Sequence, residues 1–213
     1  MIKREAYMKR IRPFLNNDLI KVLTGIRRSG KSVMLDLIKD ELLVSGVDSS
    51  QFISINFENM SNAHLCTSRE LHDEIIRRAS EMKGRVYLFF DEIQEVDAWE
   101  KCINSFRVEL DCDIYITGSN AKLLSGELAT YLAGRYVEFV IYPFSFAEFI
   151  ELYHTVFPDA SLQQCFNRYL VAGGMPYLSN LRYDDTASRQ YLRDLFNSVE
   201  LKDIVKRNNI RDV

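Results

Sequence analysis

Histidine and cysteine are scarce in this 213-residue chain, and neither sign of charge dominates. The three histidines, His64, His72 and His154, are scattered. None of the four cysteines, Cys66, Cys102, Cys112 and Cys165, belongs to a C-x-x-C pair. Such spacing argues against a structural zinc site. Thiols without a pairing pattern, and a start without signal-peptide character, fit a reducing cytoplasm. No apolar run approaches the roughly 20 residues that a membrane-spanning helix needs. Net charge is only −3, so the chain as a whole is not an electrostatic adhesive for nucleic acid. Repeats and low-complexity stretches are missing too. What is present is 47% hydrophobic and 27% charged. That composition is ordinary for a globular protein long enough for one good core and a small second unit.

Charge is uneven in one place. Lys3, Arg4, Lys9, Arg10 and Arg12 face a single acid, Glu5. One reading is a solvated helix face with Ile2, Met8, Ile11, Phe14 and Leu15 packed inward. The other is a contact for phosphate, a partner or DNA.

Against this background eight residues stand out, Gly25-Ile26-Arg27-Arg28-Ser29-Gly30-Lys31-Ser32. They match G-x-x-x-x-G-K-[ST], the Walker A loop. Gly25 and Gly30 let the backbone turn tightly, so that N–H groups around Arg27, Arg28, Ser29 and Val33 can point at an anion. Lys31 can reach the β- and γ-phosphates, and the Ser32 hydroxyl can ligate Mg²⁺. The apolar run Leu19 to Thr24 precedes the loop and reads as a buried strand. Val33 with Leu37, and Met34 with Ile38 and Leu42, recur after it at spacing four, as on the buried face of a helix. Whether Arg27 and Arg28 help to hold phosphate or face solvent is open at this level.

Four more strand-like runs follow: Gln51 to Phe57, Arg85 to Phe90, Asp113 to Thr117 and Tyr136 to Tyr142. Continuous apolar runs of this kind suit a parallel sheet covered on both faces. Helical patterns separate most of them. Thr67 and Glu70 make a capping signal before Leu71, Ile75, Ala79 and Met82. Trp99, Cys102, Ile103, Phe106 and Leu110 form a second stripe, and Leu123, Leu124, Leu128, Tyr131 and Leu132 a third, closed by Gly134. This alternation predicts an α/β fold, a doubly wound parallel five-stranded sheet of the P-loop NTPase kind. After Pro143 only helical patterns remain, two of them opened by Ser145-x-x-Glu148 and Ser161-x-x-Gln164, a third beginning near Thr186. The expected organisation is therefore a P-loop domain over residues 1–143, a small helical lid over 144–200, and the start of a truncated C-terminal region over 201–213.

The third strand ends in Phe89-Phe90-Asp91-Glu92, an apolar run followed by two acids. In that Walker B pattern Asp91 holds Mg²⁺ and Glu92 orients and polarises the attacking water. A GTPase would need D-x-x-G here and an N-K-x-D motif elsewhere; neither occurs, which favours ATP. Thr117-Gly118-Ser119-Asn120 ends the fourth strand at the same sheet edge, where a polar side chain can feel the γ-phosphate. Ser119 or Asn120 fits better than Thr117, unless it simply caps the next helix.

Taken together, these residues resemble the AAA+ ATPases. The resemblance implies ATP with Mg²⁺, a sensor at Asn120 or Ser119, and an arginine finger at Arg135, within Leu132-Ala133-Gly134-Arg135. Such a finger acts in trans across a homo-oligomer, although Arg135 is equally placed to be a surface residue after a helix cap. Asn56 resembles the polar partner that restrains the Walker B glutamate, with Glu58 close enough to compete. A narrower resemblance, to a prokaryotic family whose AAA domain precedes a C-terminal domain of unknown function, runs from Arg4 to Asp203. Pro143-Phe144-Ser145-Phe146-Ala147-Glu148-Phe149 is its most specific stretch. Gly173-Gly174-Met175-Pro176 resembles a lid motif in which the proline, here Pro176, packs near adenine; a helix cap followed by a proline stop satisfies it as well. The implied activity is ATP hydrolysis coupled to conformational change. A nucleotide-gated switch or scaffold, or a small-molecule kinase, would carry much of the same pattern.

Overall fold

A computed structural model of the chain describes residues 2–118 and 132–199. The chain divides into two compact units. One comprises Glu5–Gly25 and Lys31–Val140; the other comprises Met1–Arg4, Ile26–Gly30 and Ile141–Val213.

The first unit is built on a sheet of β1 (Ile20–Thr24), β2 (Phe52–Asn56), β3 (Val86–Asp91), β4 (Cys112–Thr117) and β5 (Tyr136–Val140). All pairings are parallel, in the order β2-β3-β4-β1-β5. The three inner strands, β1, β3 and β4, are buried at every residue, as their unbroken apolar runs require. The edge strand β2 alternates instead, with Ile53 and Ile55 inward and Ser54 and Asn56 exposed. Helices connect the strands: α1 (Glu5–Ile11) leads in, and α2 (Lys31–Val44), α3 (Ser68–Ser80) and α4 (Trp99–Glu109) follow. The expected α/β sheet is therefore present, each strand within two residues of its predicted bounds.

Alternation along β3 and β4 sends successive side chains to opposite faces. Leu88, Phe90, Ile114 and Ile116 join Leu71 and Ile75 of α3 and Ile103 and Phe106 of α4 in one cluster. Phe89 and Tyr115 stack on the other face, centroids 4.9 Å apart, with Lys39 of α2 over Phe89. The buried side of α2 is Met34, Leu35, Leu37, Ile38 and Leu42, whereas Val33 is 39% exposed. Val33 thus departs from the predicted inward stripe. A 3.6-residue period carries the stripe past it to Met34 and Leu35.

Near the start, Met8 and Ile11 are buried as expected, but the basic residues do not form one solvated face. Arg12 is engaged by Glu5 and Glu41, and Arg4 is buried. Lys3, Lys9 and Arg10 remain exposed. The helix predicted over Leu123 to Leu132 lies outside the described residues, except that Leu132 is buried against the cluster on the α3–α4 face.

The second unit carries α5 (Phe146–Val156), α6 (Leu162–Ala172), a 3-10 turn (Pro176–Ser179) and α7 (Asp185–Val199). Both capping boxes form: Ser145 with Glu148, and Ser161 with Gln164. Phe149, Cys165, Met175, Leu178 and Tyr183 make its core. Gly173 caps α6 at φ +69°, a conformation that costs glycine nothing. Gly174 has a different reason. A Cβ there would sit 2.0 Å from the Phe144 carbonyl oxygen, because the Phe144 N–H donates to Gly174 O at 2.7 Å. Among the described residues no helix is long and apolar enough to cross a membrane.

Candidate nucleotide site

Parallel pairing brings the ends of four strands to one edge. Asn56 of β2 is level with Asp91 of β3, and Leu23 of β1 with Thr117 of β4. The loop Gly25–Ser32 leaves β1 at that edge, and β4 lies between β1 and the acid-bearing β3. Ligands of open α/β sheets bind at such a carboxyl edge.

The loop backbone is contorted where the motif demands it. Gly25 has φ +143° and Gly30 +99°, and Arg28 is left-handed at +66°. A non-glycine residue there costs about 1 kcal/mol and is found chiefly at functional turns. Lys31 opens α2 and is only 5% exposed; its Nζ donates to Gly25 O at 3.3 Å. Ser32 is exposed on the first turn of α2. Arg28 is exposed and Arg27 half-buried, with its Nε unbonded among the described residues. Arg28 also lies near Tyr191 of α7, where burial raises the phenol's pKa and the arginine charge opposes that rise.

Asp91 ends β3 at 7% exposure, and both its oxygens are held. Oδ1 accepts from the Thr117 hydroxyl at 2.5 Å and Oδ2 from the Asn56 amide at 3.0 Å. Each carboxylate oxygen accepts twice, so acceptor capacity remains for a metal-bound water. Glu92 follows in the left-handed region (φ +55°, ψ +49°). Its N–H donates to Thr117 Oγ1 at 2.9 Å, and its carboxylate takes the Gln94 amide at 2.6 Å and stands 3.7 Å from Lys31 Nζ. Thr117 therefore grips the aspartate side chain and the glutamate backbone at once.

Three contacts here were not foreseen from the sequence. Thr117, ranked below Ser119 and Asn120, touches both acids, while Ser119 and Asn120 lie outside the described residues. Asn56 meets Asp91 rather than Glu92, because parallel register sets the two level. The partner of Glu92 is Gln94, whose only sequence signal was its presence after Asp91-Glu92-Ile93.

Arg135 lies elsewhere. It precedes β5, and its carbonyl accepts from Ile20 N, at the opposite edge of the sheet from Lys31 and Glu92. Its guanidinium donates to Asn104 of α4 at 2.7 Å. It is exposed and lies at the far end of the strands from the acids. Pro176 is half-buried at the head of the 3-10 turn.

Among the described residues no cluster of three or more His, Cys, Asp or Glu side chains could cage a metal. Mg²⁺ does not need one; it takes one or two protein oxygens and draws the rest from water and phosphate. Asp91 and Ser32 fit that donor set.

The chain is 38% identical over 212 residues to an uncharacterized protein of Haemophilus influenzae, covering 100% of this chain and 52% of that one. It is 34% identical over 202 residues to an uncharacterized protein of Methanocaldococcus jannaschii, covering 91% and 44%. It thus spans about half the length of the curated relatives it matches. In fold it is similar to AMPPCP-bound DnaA from Aquifex aeolicus, with TM-score 0.55, 13% identity, and 99% and 65% of the two chains covered. A family model described as an AAA domain matches residues 17–150, more than half of the chain, and the chain belongs to that family of P-loop nucleotide-binding proteins.

Proposed function

We propose that this chain binds ATP with Mg²⁺ and hydrolyses it. One observation carries the reading. The Glu92 carboxylate stands 3.7 Å from the Lys31 ammonium at the carboxyl edge of the sheet, oriented by Gln94 and by a strained backbone. A lysine there serves phosphate; a carboxylate beside it serves water.

In this mechanism the loop N–H groups and Lys31 bind and neutralise the phosphates. Ser32 and Asp91 hold the metal, which supplies charge neutralisation at the phosphate oxygens when bound. Asn56 and Thr117 keep the Asp91 carboxylate in one orientation. Glu92 accepts a hydrogen bond from the attacking water and takes up its proton as the water oxygen bonds to the terminal phosphorus; the bond from that phosphorus to the β–γ bridging oxygen breaks, and ADP leaves with that oxygen and its electron pair. Positioning and electrostatics supply most of the acceleration. Arg135 contributes only from a neighbouring subunit.

Steady-state phosphate release tests this. Glu92→Gln should lower kcat by about a hundredfold, within the range for a lost general base, while MgATP binding persists. Lys31→Ala should weaken binding itself. Equal rates in native protein and Glu92→Gln would replace hydrolysis with the nucleotide-gated switch. Phosphate transfer to an added acceptor, with no free phosphate, would indicate a kinase.

A further inference from the structure

Arg4 is 2% exposed and left-handed at φ +48°, in a segment whose charges otherwise face water. Its guanidinium has four neighbours in the second unit. Nε and Nη2 donate to the Glu148 carboxylate at 3.0 and 3.5 Å, and Nη2 to Tyr142 O at 2.8 Å. Nη1 donates to Ser29 O at 3.0 Å, and Cζ lies 5.0 Å from the centroid of the Phe144 ring. Glu148 is fixed in turn by the Ser145 N–H and hydroxyl, at 2.8 and 2.9 Å. Burial acts to raise the Glu148 pKa, but the Arg4 and Ser145 hydrogen bonds bring it below the usual carboxylate range.

The contact with Ser29 matters because of what shares its peptide plane. In a planar trans peptide the Ser29 C=O and the Gly30 N–H point in opposite directions. Holding the carbonyl toward Arg4 therefore turns the Gly30 N–H away from it. That N–H makes no hydrogen bond among the described residues. Gly30 at φ +99° offers little resistance to a flip of this peptide, since glycine tolerates both signs of φ. Something outside the loop has to choose the orientation, and a buried, charge-assisted bond to the carbonyl does so. The same charge polarises the amide and makes its N–H a better donor.

We propose that Arg4 is the positioning residue of the phosphate loop: by gripping the Ser29 carbonyl it aims the Gly30 N–H at the bound nucleoside triphosphate. The role rests on the nucleotide-binding reading above. It makes Ser145, Glu148, Arg4 and Ser29 one chain of hydrogen bonds that ends on a phosphate donor. It also gives Phe144, Ser145 and Glu148 a shared chemical reason.

The full chain and its Arg4→Gln and Arg4→Lys variants test the role, through MgATP affinity, thermal midpoint and the ¹⁵N–¹H resonance of the Gly30 amide without nucleotide. Arg4→Gln should bind MgATP about tenfold more weakly and shift the Gly30 resonance. Arg4→Lys, which keeps the charge but not the fork, should lose about threefold and shift the same peak. A lowered midpoint with unchanged affinity and an unmoved Gly30 peak would overturn the proposal and leave Arg4 a structural staple. If Arg4→Gln does not fold, the same two readouts on Arg4→Lys distinguish positioning from stapling. Native protein that binds no MgATP overturns the nucleotide reading instead, and the Gly30 peak still reports whether Arg4 sets the peptide.

Discussion

Thr117 shows how one hydroxyl can organise two acids. It donates to Asp91 and accepts from the Glu92 N–H, tying the Asp91 carboxylate to the backbone of Glu92. Thr117→Val keeps the shape and removes both bonds. We expect kcat for phosphate release to fall about tenfold, MgATP affinity to change less than threefold, and stability to drop by about 1–2 kcal/mol. Phosphate release, calorimetric titration and urea unfolding measure the three. A second residue-scale case lies at the other end of the sheet. Lys21 is fully buried and paired with Asp113, with further bonds to Leu19 O and Asn17. Burial lowers the Lys21 pKa, and the Asp113 charge resists that fall. Removing one partner strands a charge in the core, so Lys21→Met alone should cost about 3–5 kcal/mol. The double variant Lys21→Met with Asp113→Leu should recover most of it, read by urea unfolding.

At the scale of elements, the caps and apolar stripes explain where helices begin and which way they turn. Thr67 accepts the Glu70 N–H at the start of α3, and the boxes at Ser145 and Ser161 set α5 and α6. Not every apolar side chain of these helices is buried. Phe166 and Leu170 of α6 are exposed, while Cys165 and Ala172 turn inward, because the core of the second unit approaches α6 from that side. Packing of α3 on α4 carries a titratable contact. His72 Nε2 is 3.0 Å from Glu109 and 3.4 Å from Ser105 Oγ, and Nδ1 is 3.5 Å from Asp73. The Glu109 bond raises the His72 pKa above its ordinary value, burial working against it. A raised folded pKa means stability fully present below the unfolded value of about 6.5 and lost as pH rises through the folded value. The stability difference between native protein and His72→Gln should therefore shrink as pH rises from about 6 to about 8 in urea titrations. Glu109, held below its ordinary range by Ser105 and His72, sets the acid limit, since its contribution disappears as pH falls through its folded pKa.

For the whole molecule, the position of Arg135 decides what kind of machine the site can belong to. It stands at the amino edge of the sheet, while Lys31 and Glu92 stand at the carboxyl edge, so any action on phosphate comes from a neighbouring copy. MgATP should then increase the mass measured by light scattering. Arg135→Ala should lower phosphate release about a thousandfold or more, on the scale of other arginine fingers, without abolishing ATP binding. A constant monomer with native rates would remove the role. Much of this architecture was legible beforehand. The loop Gly25–Ser32, the acids Asp91 and Glu92, and the five apolar runs are local patterns, and local chemistry writes them directly: glycine where φ is positive, β-branched and aromatic residues where a strand is buried on both sides. Contacts between distant segments have no such local signature. Asn56 meets Asp91 because two parallel strands pair in one register, and Thr117 reaches both acids because β4 inserts beside β3. Arg4 read as one more basic residue on an exposed face until the fold buried it against Ser29 and Glu148, 25 and 144 residues away in the chain. Sequence alone determined that this chain carries a phosphate-loop motif and two acids on a parallel sheet. Only the tertiary structure decided which side chains meet that loop and those acids, because such contacts depend on register and burial.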